Sequence, residues 1–229
     1  MQYDHIVKGY FLARPNRFIA HVEINGEVAV AHVKNTGRCK ELLTCGATLY
    51  LQDWGADYAL RRKTRYDVIA VEKGSLLINM DSQAPNHVFR EWAEAGAFMP
   101  GLTLLRPEYI WGSSRFDFYW ETESKRGLVE VKGVTLEFDG HVKFPDAPTL
   151  RGVKHLEELV QAKKSGYEAA VCFVVQMEGM RCFSPNDETH PAFGDALRRA
   201  AQAGVQIIAM ECCVTPDSLQ IKKEIPIIF

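Results

Sequence analysis

Residues 114–133 read SRFDFYWETESKRGLVEVKG, and this stretch does most to decide the fold. Its alternation of apolar and polar residues predicts two β-strands around a polar turn at residues 123–127. Because alternate side chains of a strand point to the same face, Glu130 and Lys132 should project together. The sequence therefore predicts a charged hairpin in which a carboxylate and an ammonium group lie side by side.

A second carboxylate, Asp117, lies on the first strand of this hairpin. Folding the hairpin about Lys125 would place Asp117 roughly opposite Gly133 and close to the other two charges. Two carboxylates and an ammonium group suit a hard cation, Mg²⁺ or Mn²⁺, and a phosphate. The alternative is an ordinary acid–lysine pair that stabilises the sheet slightly.

The sequence around Glu130 favours the functional interpretation. Residues 127–135 (GLVEVKGVT) are otherwise apolar or small, which is typical of an interior strand covered on both faces. Charged side chains on such a strand cost free energy unless they are paired or bound to a metal ion. Glu130 and Lys132 break the local pattern, and residues that do so are candidates for function.

The composition is that of a globular protein: 229 residues, 47% apolar, with a net charge of −2. No apolar stretch is long enough to span a membrane and no secretory signal is visible, so we expect a cytoplasmic protein without membrane association. The six cysteines form no zinc-binding spacing, and we expect reduced thiols. Residues 1–80 carry a net positive charge and residues 81–229 a net negative one, so the first part suits contact with phosphate.

Two domains are expected, divided near residue 80. Residues 1–80 show short alternating strands, including a hairpin turn at Asn25-Gly26, and predict a five-stranded OB-fold barrel, with an SH3-like barrel as the alternative. Residues 81–229 alternate strands and helices and predict a mixed α/β domain. We expect one helix capped by Asn86 and another that follows Thr149, with Leu150 on its apolar face.

Basic residues at the start of the Thr149 helix are candidates for phosphate binding. Arg151, Lys154 and His155 share one face by spacing. Cations there oppose the helix macrodipole, whereas a bound anion would reverse that effect. The alternative is a solvated helix face in which the neighbouring glutamates pair with Lys154.

The barrel carries three basic clusters and interleaved aromatic residues. Its candidates for contact with DNA or phosphate are Arg14, Arg17, Lys34, Arg38, Arg62 and Lys63. The aromatic residues that could stack on bases are Tyr50, Trp54, Tyr58 and Tyr66. The alternative is that the aromatic residues form core and the charges are solvated. On the second domain, Glu91 is a candidate third carboxylate for the metal, against the alternative of a surface acid.

Several stretches together resemble one family, the sugar fermentation stimulation protein A family. The stretches that carry the resemblance run in order through the chain: RPNRF (14–18), HVKNTGRCKELL (32–43), DSQAPN (81–86), SRFDF (114–118), VEVKGVTLE (129–137), FPDAPTLRGVKHLEEL (144–159), FSPN (183–186) and GVQIIA (204–209). The resemblance implies an N-terminal OB-fold, a C-terminal domain of the PD-(D/E)xK nuclease type, DNA binding, and a link to the regulation of sugar (maltose) utilisation.

By position, the resemblance makes Asp117 the first acid of the nuclease motif, Glu130 the second and Lys132 its lysine, while Glu91 matches the helix acid found in many such nucleases. Asp117, Glu130 and Glu91 would then hold the metal. The leading hypothesis is a Mg²⁺-dependent nuclease-type site in a protein that binds DNA with little sequence preference. The alternatives are a non-catalytic DNA-binding regulator and a sugar- or nucleotide-processing enzyme. A homodimer is an assembly that the sequence leaves open.

Overall fold

The computed structural model describes residues 1–35, 37–56 and 63–229. These residues form two compact units. The first unit comprises residues 1–84, 176–178 and 212–220, and the second comprises residues 85–175, 179–211 and 221–229. No helix in the described ranges is both long and apolar enough to cross a lipid bilayer.

The first unit is built on a closed β-barrel. Its strands are β1 (Ile6–Asn16), β2 (Ile19–Ile24), β3 (Glu27–Val33), β4 (Thr48–Asp53), β5 (Tyr66–Lys73) and β6 (Leu76–Asn79). They follow the order β3-β2-β1-β4-β5-β6, and a parallel pairing of β3 with β5 closes the first five into a barrel. This is the OB-like barrel that the strand pattern predicts. Its interior is filled by apolar side chains such as Leu49, Leu51 and Val68.

The hairpin predicted at Asn25-Gly26 joins β2 to β3. Both turn residues have positive φ, 53° and 81°, as a two-residue turn between twisted strands requires. Strand β1 was not predicted, because its residues lack a clean alternation: it bends through irregular pairing with β2 between Phe11 and Asn16.

A mixed six-stranded sheet belongs mostly to the second unit, except for residues 212–220 of its last two strands, which are counted in the first. Its strands are β7 (Leu104–Trp111), β8 (Ser114–Glu121), β9 (Arg126–Val134), β12 (Glu168–Val175), β14 (Gln206–Thr215) and β15 (Ser218–Glu224). They follow the order β15-β14-β12-β9-β8-β7, in which β9, β12 and β14 are parallel. Strand β9 therefore lies in the interior of the sheet, as its apolar composition predicts.

Three helices and a small sheet complete this unit. The helices are α1 (Ala84–Glu94), α2 (Leu150–Lys164) and α3 (Pro191–Gln202), and the small sheet contains β10 (Glu137–Phe138), β11 (His141–Phe144) and β13 (Cys182–Pro185). Helix α2 packs against β8, β9 and β12, and also against α3. It thereby covers the segment of β9 that carries Glu130.

Two helix predictions are wrong in detail. Helix α1 begins at Ala84, and the preceding turn is made by Asp81, which accepts hydrogen bonds from the N–H groups of Gln83 (2.9 Å) and Ala84 (3.2 Å). Asn86 therefore lies inside the helix and does not cap it. Helix α2 follows Thr149 as expected, and the Thr149 side chain caps it. Leu150, however, is 80% exposed and does not join the apolar face.

None of the six cysteines forms a disulfide bond in this structure. Gly127, predicted as a turn residue, lies within β9 opposite Trp120. A Cβ atom at Gly127 would come within 2.5 Å of the Trp120 ring, so the close approach of the indole requires glycine here.

Candidate functional site

The β8–β9 hairpin sets the position of the candidate acids. The turn spans residues 122–125, where the N–H of Thr122 bonds to the carbonyl of Lys125 at 2.8 Å. The ladder runs from Glu121–Arg126 to Phe118–Val129, so the next position places Asp117 opposite Glu130. The predicted register, with Asp117 opposite Gly133, is wrong by three residues because the turn is centred before Lys125. In the observed register the carboxylates of Asp117 and Glu130 lie closer together than in the predicted register.

Asp117 terminates the hairpin ladder with its side chain. Its Oδ2 accepts a hydrogen bond of 2.8 Å from the N–H of Val131, and its Oδ1 accepts one of 2.9 Å from the side-chain amide of Asn86 on α1. Burial, and then the negative charge of Glu130, raise the pKa of Asp117 above its usual range despite these two donors. A nearby cation would therefore stabilise the ionised form of Asp117.

Glu130 is almost fully buried, at 3% exposure. Burial raises its pKa, but the hydrogen bond from His155 and the charge of Lys132 outweigh burial, so the pKa lies below its usual range. Both donors bind the same oxygen: Nδ1 of His155 and Nζ of Lys132 contact Oε1. The other oxygen, Oε2, is buried and has no hydrogen-bond partner within the described ranges.

His155 has a different position from the one that the spacing predicted. It is 4% exposed, and its ring lies against Phe116 with a centroid distance of 5.7 Å. Its Nε2 accepts a hydrogen bond of 3.3 Å from Nε of Arg151, so Nδ1 carries the proton that is donated to Glu130. The prediction that His155 contacts phosphate from an exposed face is therefore wrong, because the buried Glu130 carboxylate provides its partner.

The rest of the basic helix face remains exposed. Arg151 and Lys154 are both exposed at the start of α2. Lys154 donates a hydrogen bond of 3.3 Å to the carbonyl of Ser113 and lies 4.0 Å from Glu158. These two cations stay candidates for phosphate contact on the surface of the helix that covers Glu130.

Glu91 does not join Asp117 and Glu130. It is exposed on α1, and no group of three His, Cys, Asp or Glu side chains capable of holding a metal ion occurs in the part of the chain that the structure describes. The α1 side chain that does reach Asp117 is Asn86. The oxygen donors available to a cation are thus the two carboxylates and backbone carbonyls such as that of Val131.

The barrel's basic residues divide into structural and exposed groups. The guanidinium of Arg14 donates to the carbonyls of Arg17 (2.7 Å), Asn35 (2.9 Å) and Arg38 (2.5 Å), and so holds two loops together. Lys34 is paired with the buried Asp81 at 2.5 Å. The cations that remain exposed are Arg17, Arg38 and Lys63. The candidates Arg62 and Tyr58 lie outside the described residues.

Comparison with known proteins adds an independent line of evidence. A family model described as the SfsA N-terminal OB domain matches residues 12–80. A second model, the sugar fermentation stimulation protein RE domain, matches residues 83–218, more than half of the chain. The chain belongs to the sugar fermentation stimulation protein family. The two matches follow the same division into a barrel and an α/β domain that the strand order shows.

Individual members of the family are similar over nearly the full length. The sugar fermentation stimulation protein homolog of Desulfitobacterium hafniense (strain DSM 10664 / DCB-2) is 56% identical over 220 residues, covering 96% of this chain and 95% of the relative. The homolog of Clostridium beijerinckii is 52% identical over 228 residues and covers 100% of both chains. A solved structure of Pyrococcus furiosus SfsA in complex with Ca²⁺ matches with a TM-score of 0.89 and 25% identity, covering 100% of this chain and 98% of that one.

Two site residues of this family member were missed or misassigned from sequence. Asn86 was interpreted as a helix cap because Asn is common there, and nothing local indicates that its amide reaches Asp117. His155 is three and four residues away from Glu158 and Leu159, so the three side chains lie on one side of the helix. Because Leu159 is buried and Glu158 is partly exposed, His155 lies at the edge of the buried helix face. That position was the available signal for a buried histidine.

Proposed function

We propose that this protein binds DNA and cleaves its phosphodiester bonds at a Mg²⁺-dependent nuclease-type site formed by Asp117, Glu130 and Lys132. The observation that carries the proposal is the buried Oε2 atom of Glu130, which lacks a hydrogen-bond partner in the described ranges, beside a second carboxylate with a raised pKa. Leaving a buried acceptor unsatisfied costs about 1–3 kcal/mol, and a cation would remove that cost.

The residues present fit a hard divalent cation. Asp117 and Glu130 supply carboxylate oxygens, and the Val131 carbonyl is available between Glu130 and Lys132. His155 and Lys132 both bind Oε1 of Glu130, so Oε2 is the oxygen that remains for a metal ion. The relative from Pyrococcus furiosus was solved in complex with Ca²⁺, a cation with the same preference for oxygen ligands. When bound, Mg²⁺ or Mn²⁺ would polarise a phosphoryl oxygen and lower the pKa of a water molecule.

Lys132 supplies positive charge at the reacting phosphate. Its side chain is 19% exposed and donates one hydrogen bond to Glu130. A lysine ammonium has three N–H donors, so two remain for a water molecule or a phosphate oxygen. Fixed positive charge of this kind stabilises the negative charge that develops at phosphorus in the transition state.

Positive charge on both units supports DNA binding. Arg151 and Lys154 at the start of α2 are exposed close to His155 and Glu130, and the barrel presents Arg17 and Arg38. Contacts from such side chains to phosphates supply affinity without base specificity. Under this proposal, the stimulation of sugar fermentation for which relatives are named, and the link to maltose that the resemblance implies, are indirect consequences of acting on DNA.

The test is to incubate the purified protein with linear, supercoiled circular and single-stranded DNA, with and without Mg²⁺ or Mn²⁺, beside the Asp117→Ala variant. The proposal predicts metal-dependent cleavage of at least one DNA form by the native protein and none by the variant. DNA binding without cleavage in every condition would instead support the alternative function, a regulator that retains the nuclease fold as a scaffold. Equal cleavage by native protein and variant would overturn the assignment of the site.

A further inference from the structure

We propose that the barrel holds a pocket for an unpaired nucleobase, so that the DNA bound by this unit is single-stranded. The pocket has a volume of about 490 Å³ and is lined by Phe18, His32, Lys34, Asn35, Trp54 and Gln83, among others. This volume is within the range of small-molecule sites. The inference rests on the DNA binding in the proposed function and does not depend on cleavage.

The pocket presents an aromatic ring to solvent. The side chain of Phe18 is 53% exposed, so its phenyl ring is accessible to a ligand that enters the pocket. Its backbone is fixed: Oδ1 of Asn16 accepts hydrogen bonds from the N–H groups of Phe18 (2.9 Å) and Ile19 (3.1 Å). The turn between β1 and β2 therefore fixes the backbone from which the ring projects.

Trp54 supplies the second aromatic surface. Its indole N–H donates a hydrogen bond of 3.0 Å to Oδ2 of Asp67, which is buried, so the orientation of the ring is fixed. Phenylalanine and tryptophan rings both stack on nucleobases, and this interaction tolerates any base because every base has a π face. Two aromatic rings that line one pocket thus match a ligand with flat faces.

Two polar side chains of the pocket, those of Lys34 and Asn35, are committed to the protein. Lys34 binds Asp81, and the side chain of Asn35 both donates to the Met80 carbonyl (3.2 Å) and accepts from the Gly37 N–H (2.8 Å). These groups shape the pocket but are not available to read the hydrogen-bonding edge of a base. Stacking on the two aromatic rings would contribute binding with little preference among bases.

Basic residues of the barrel lie next to residues of this pocket in the sequence, and the side chain of Arg14 connects the two groups. Arg14 binds the carbonyls of Arg17, which directly precedes Phe18, and of Asn35, which lines the pocket. Its third bond, to Arg38, fixes the loop that follows. A hollow of about 270 Å³ lined by Arg17, Arg38 and Lys40 offers positive charge next to the aromatic pocket. Stacking platforms beside a positive groove are the pattern of proteins that bind single-stranded nucleic acid.

The experiment measures binding of three fluorescent DNAs in EDTA, where a metal-dependent reaction cannot occur. They are a short single strand of mixed sequence, a strand of the same length with abasic positions at its centre, and a duplex. The proteins are the native chain, Phe18→Ala, Phe18→Trp and the control Phe138→Ala, whose ring is equally exposed, at 54%, outside the barrel. Because Phe18 is exposed, its replacement should leave folding intact, which circular dichroism would check.

The native chain should bind the intact single strand about 5- to 100-fold more tightly than the abasic strand, the factor that corresponds to stacking of one base. Phe18→Ala should lose this difference, whereas Phe18→Trp and Phe138→Ala should keep it. Equal affinity of the native chain for intact and abasic strands, or an unchanged difference in Phe18→Ala, would overturn the pocket. Cleavage is measured separately, on several forms of DNA with Mg²⁺ or Mn²⁺. Equal binding of intact and abasic strands would therefore not test the nuclease site, and a lack of cleavage would not test the pocket.

Discussion

Oδ2 of Asp117 accepts a hydrogen bond of 2.8 Å from the backbone N–H of Val131, the residue between Glu130 and Lys132. This contact ends the β8–β9 ladder with a carboxylate in place of a backbone carbonyl. It also fixes Asp117 beside Glu130, whose charge, together with burial, raises the pKa of Asp117. The same contact that assembles the candidate site therefore places two negative charges close together.

Replacing Asp117 by Asn should stabilise the metal-free protein. A carboxyl whose pKa is higher in the folded chain than in the unfolded chain destabilises the fold whenever it is ionised. Asn cannot ionise, can still accept from Val131, and can face the Asn86 amide after that amide rotates. Thermal unfolding in EDTA at pH 7 should show a higher Tm for Asp117→Asn, each kcal/mol raising Tm by about 2–4 °C in a chain of this size.

The pH dependence provides the control for this prediction. Below about pH 4 the native Asp117 becomes protonated in both states, so the difference in Tm should disappear. A variant that is several degrees less stable than the native protein at pH 7 would show that the hydrogen bonds of Asp117 outweigh its repulsion from Glu130.

Addition of Mg²⁺ or Mn²⁺ should stabilise the native protein. A cation that binds only the folded state at 100 times its Kd adds about 2.7 kcal/mol to the free energy of unfolding. Thermal unfolding in a metal titration should show Tm rising with metal concentration for the native protein but not for Glu130→Gln, in which Oε2 is no longer part of an anion. An equal rise in both proteins would place the cation elsewhere.

Removal of the His155 ring should destabilise the fold. His155→Leu removes a buried hydrogen bond to the ionised Glu130, and such bonds contribute about 1.5–3 kcal/mol. Because the pKa of Glu130 is depressed in the folded state, this contribution is complete above its unfolded pKa and is lost as the pH falls through the folded one. Urea denaturation should therefore show a loss of stability at pH 7 that shrinks below about pH 4. The control Lys164→Met, at an exposed position of the same helix, should change stability by less than about 0.5 kcal/mol. An equal effect at both pH values would indicate that packing against Phe116 is the main role of the ring.

The basic residues of the barrel should separate into two classes. Arg17 and Arg38 are exposed, so the double variant Arg17→Ala, Arg38→Ala should weaken single-stranded DNA binding and reduce its salt slope by about 1.4, since each phosphate contact contributes about 0.7. Arg14→Ala should instead lower the free energy of unfolding by about 1–3 kcal/mol, because three carbonyls lose their donor. Affinities measured across a salt series, with urea denaturation in parallel, would check both. An unchanged salt slope in the double variant would remove these residues from the DNA surface.

The sequence predicted the parts of the fold that depend on local chemistry. The hairpin at Asn25-Gly26, the helix after Thr149 and the interior strand β9 all depend on neighbouring residues, and each was predicted correctly. The pairing of Glu130 with Lys132 follows from strand periodicity alone.

The errors concern contacts between distant residues. The hairpin register depends on the turn at residues 122–125, and a small shift of its centre moves Asp117 by three positions along its partner strand. Asn86 and His155 reach their carboxylate partners from helices, over separations of 31 and 25 residues. A local sequence pattern does not predict such contacts. Successive side chains of a helix point about 100° apart, and packing decides which of them faces a given partner.

The most direct measurement of the central claim is the rate of Mg²⁺-dependent DNA cleavage by Lys132→Ala relative to the native protein. Loss of a positioned charge at the reacting phosphate should lower the rate by about 10²–10³-fold while leaving DNA affinity largely unchanged. Lys125→Ala, which alters an exposed lysine in the turn of the same hairpin, serves as the matched control and should cleave at the native rate. Cleavage by Lys132→Ala at the native rate would contradict the assignment of Asp117, Glu130 and Lys132 as the reacting site.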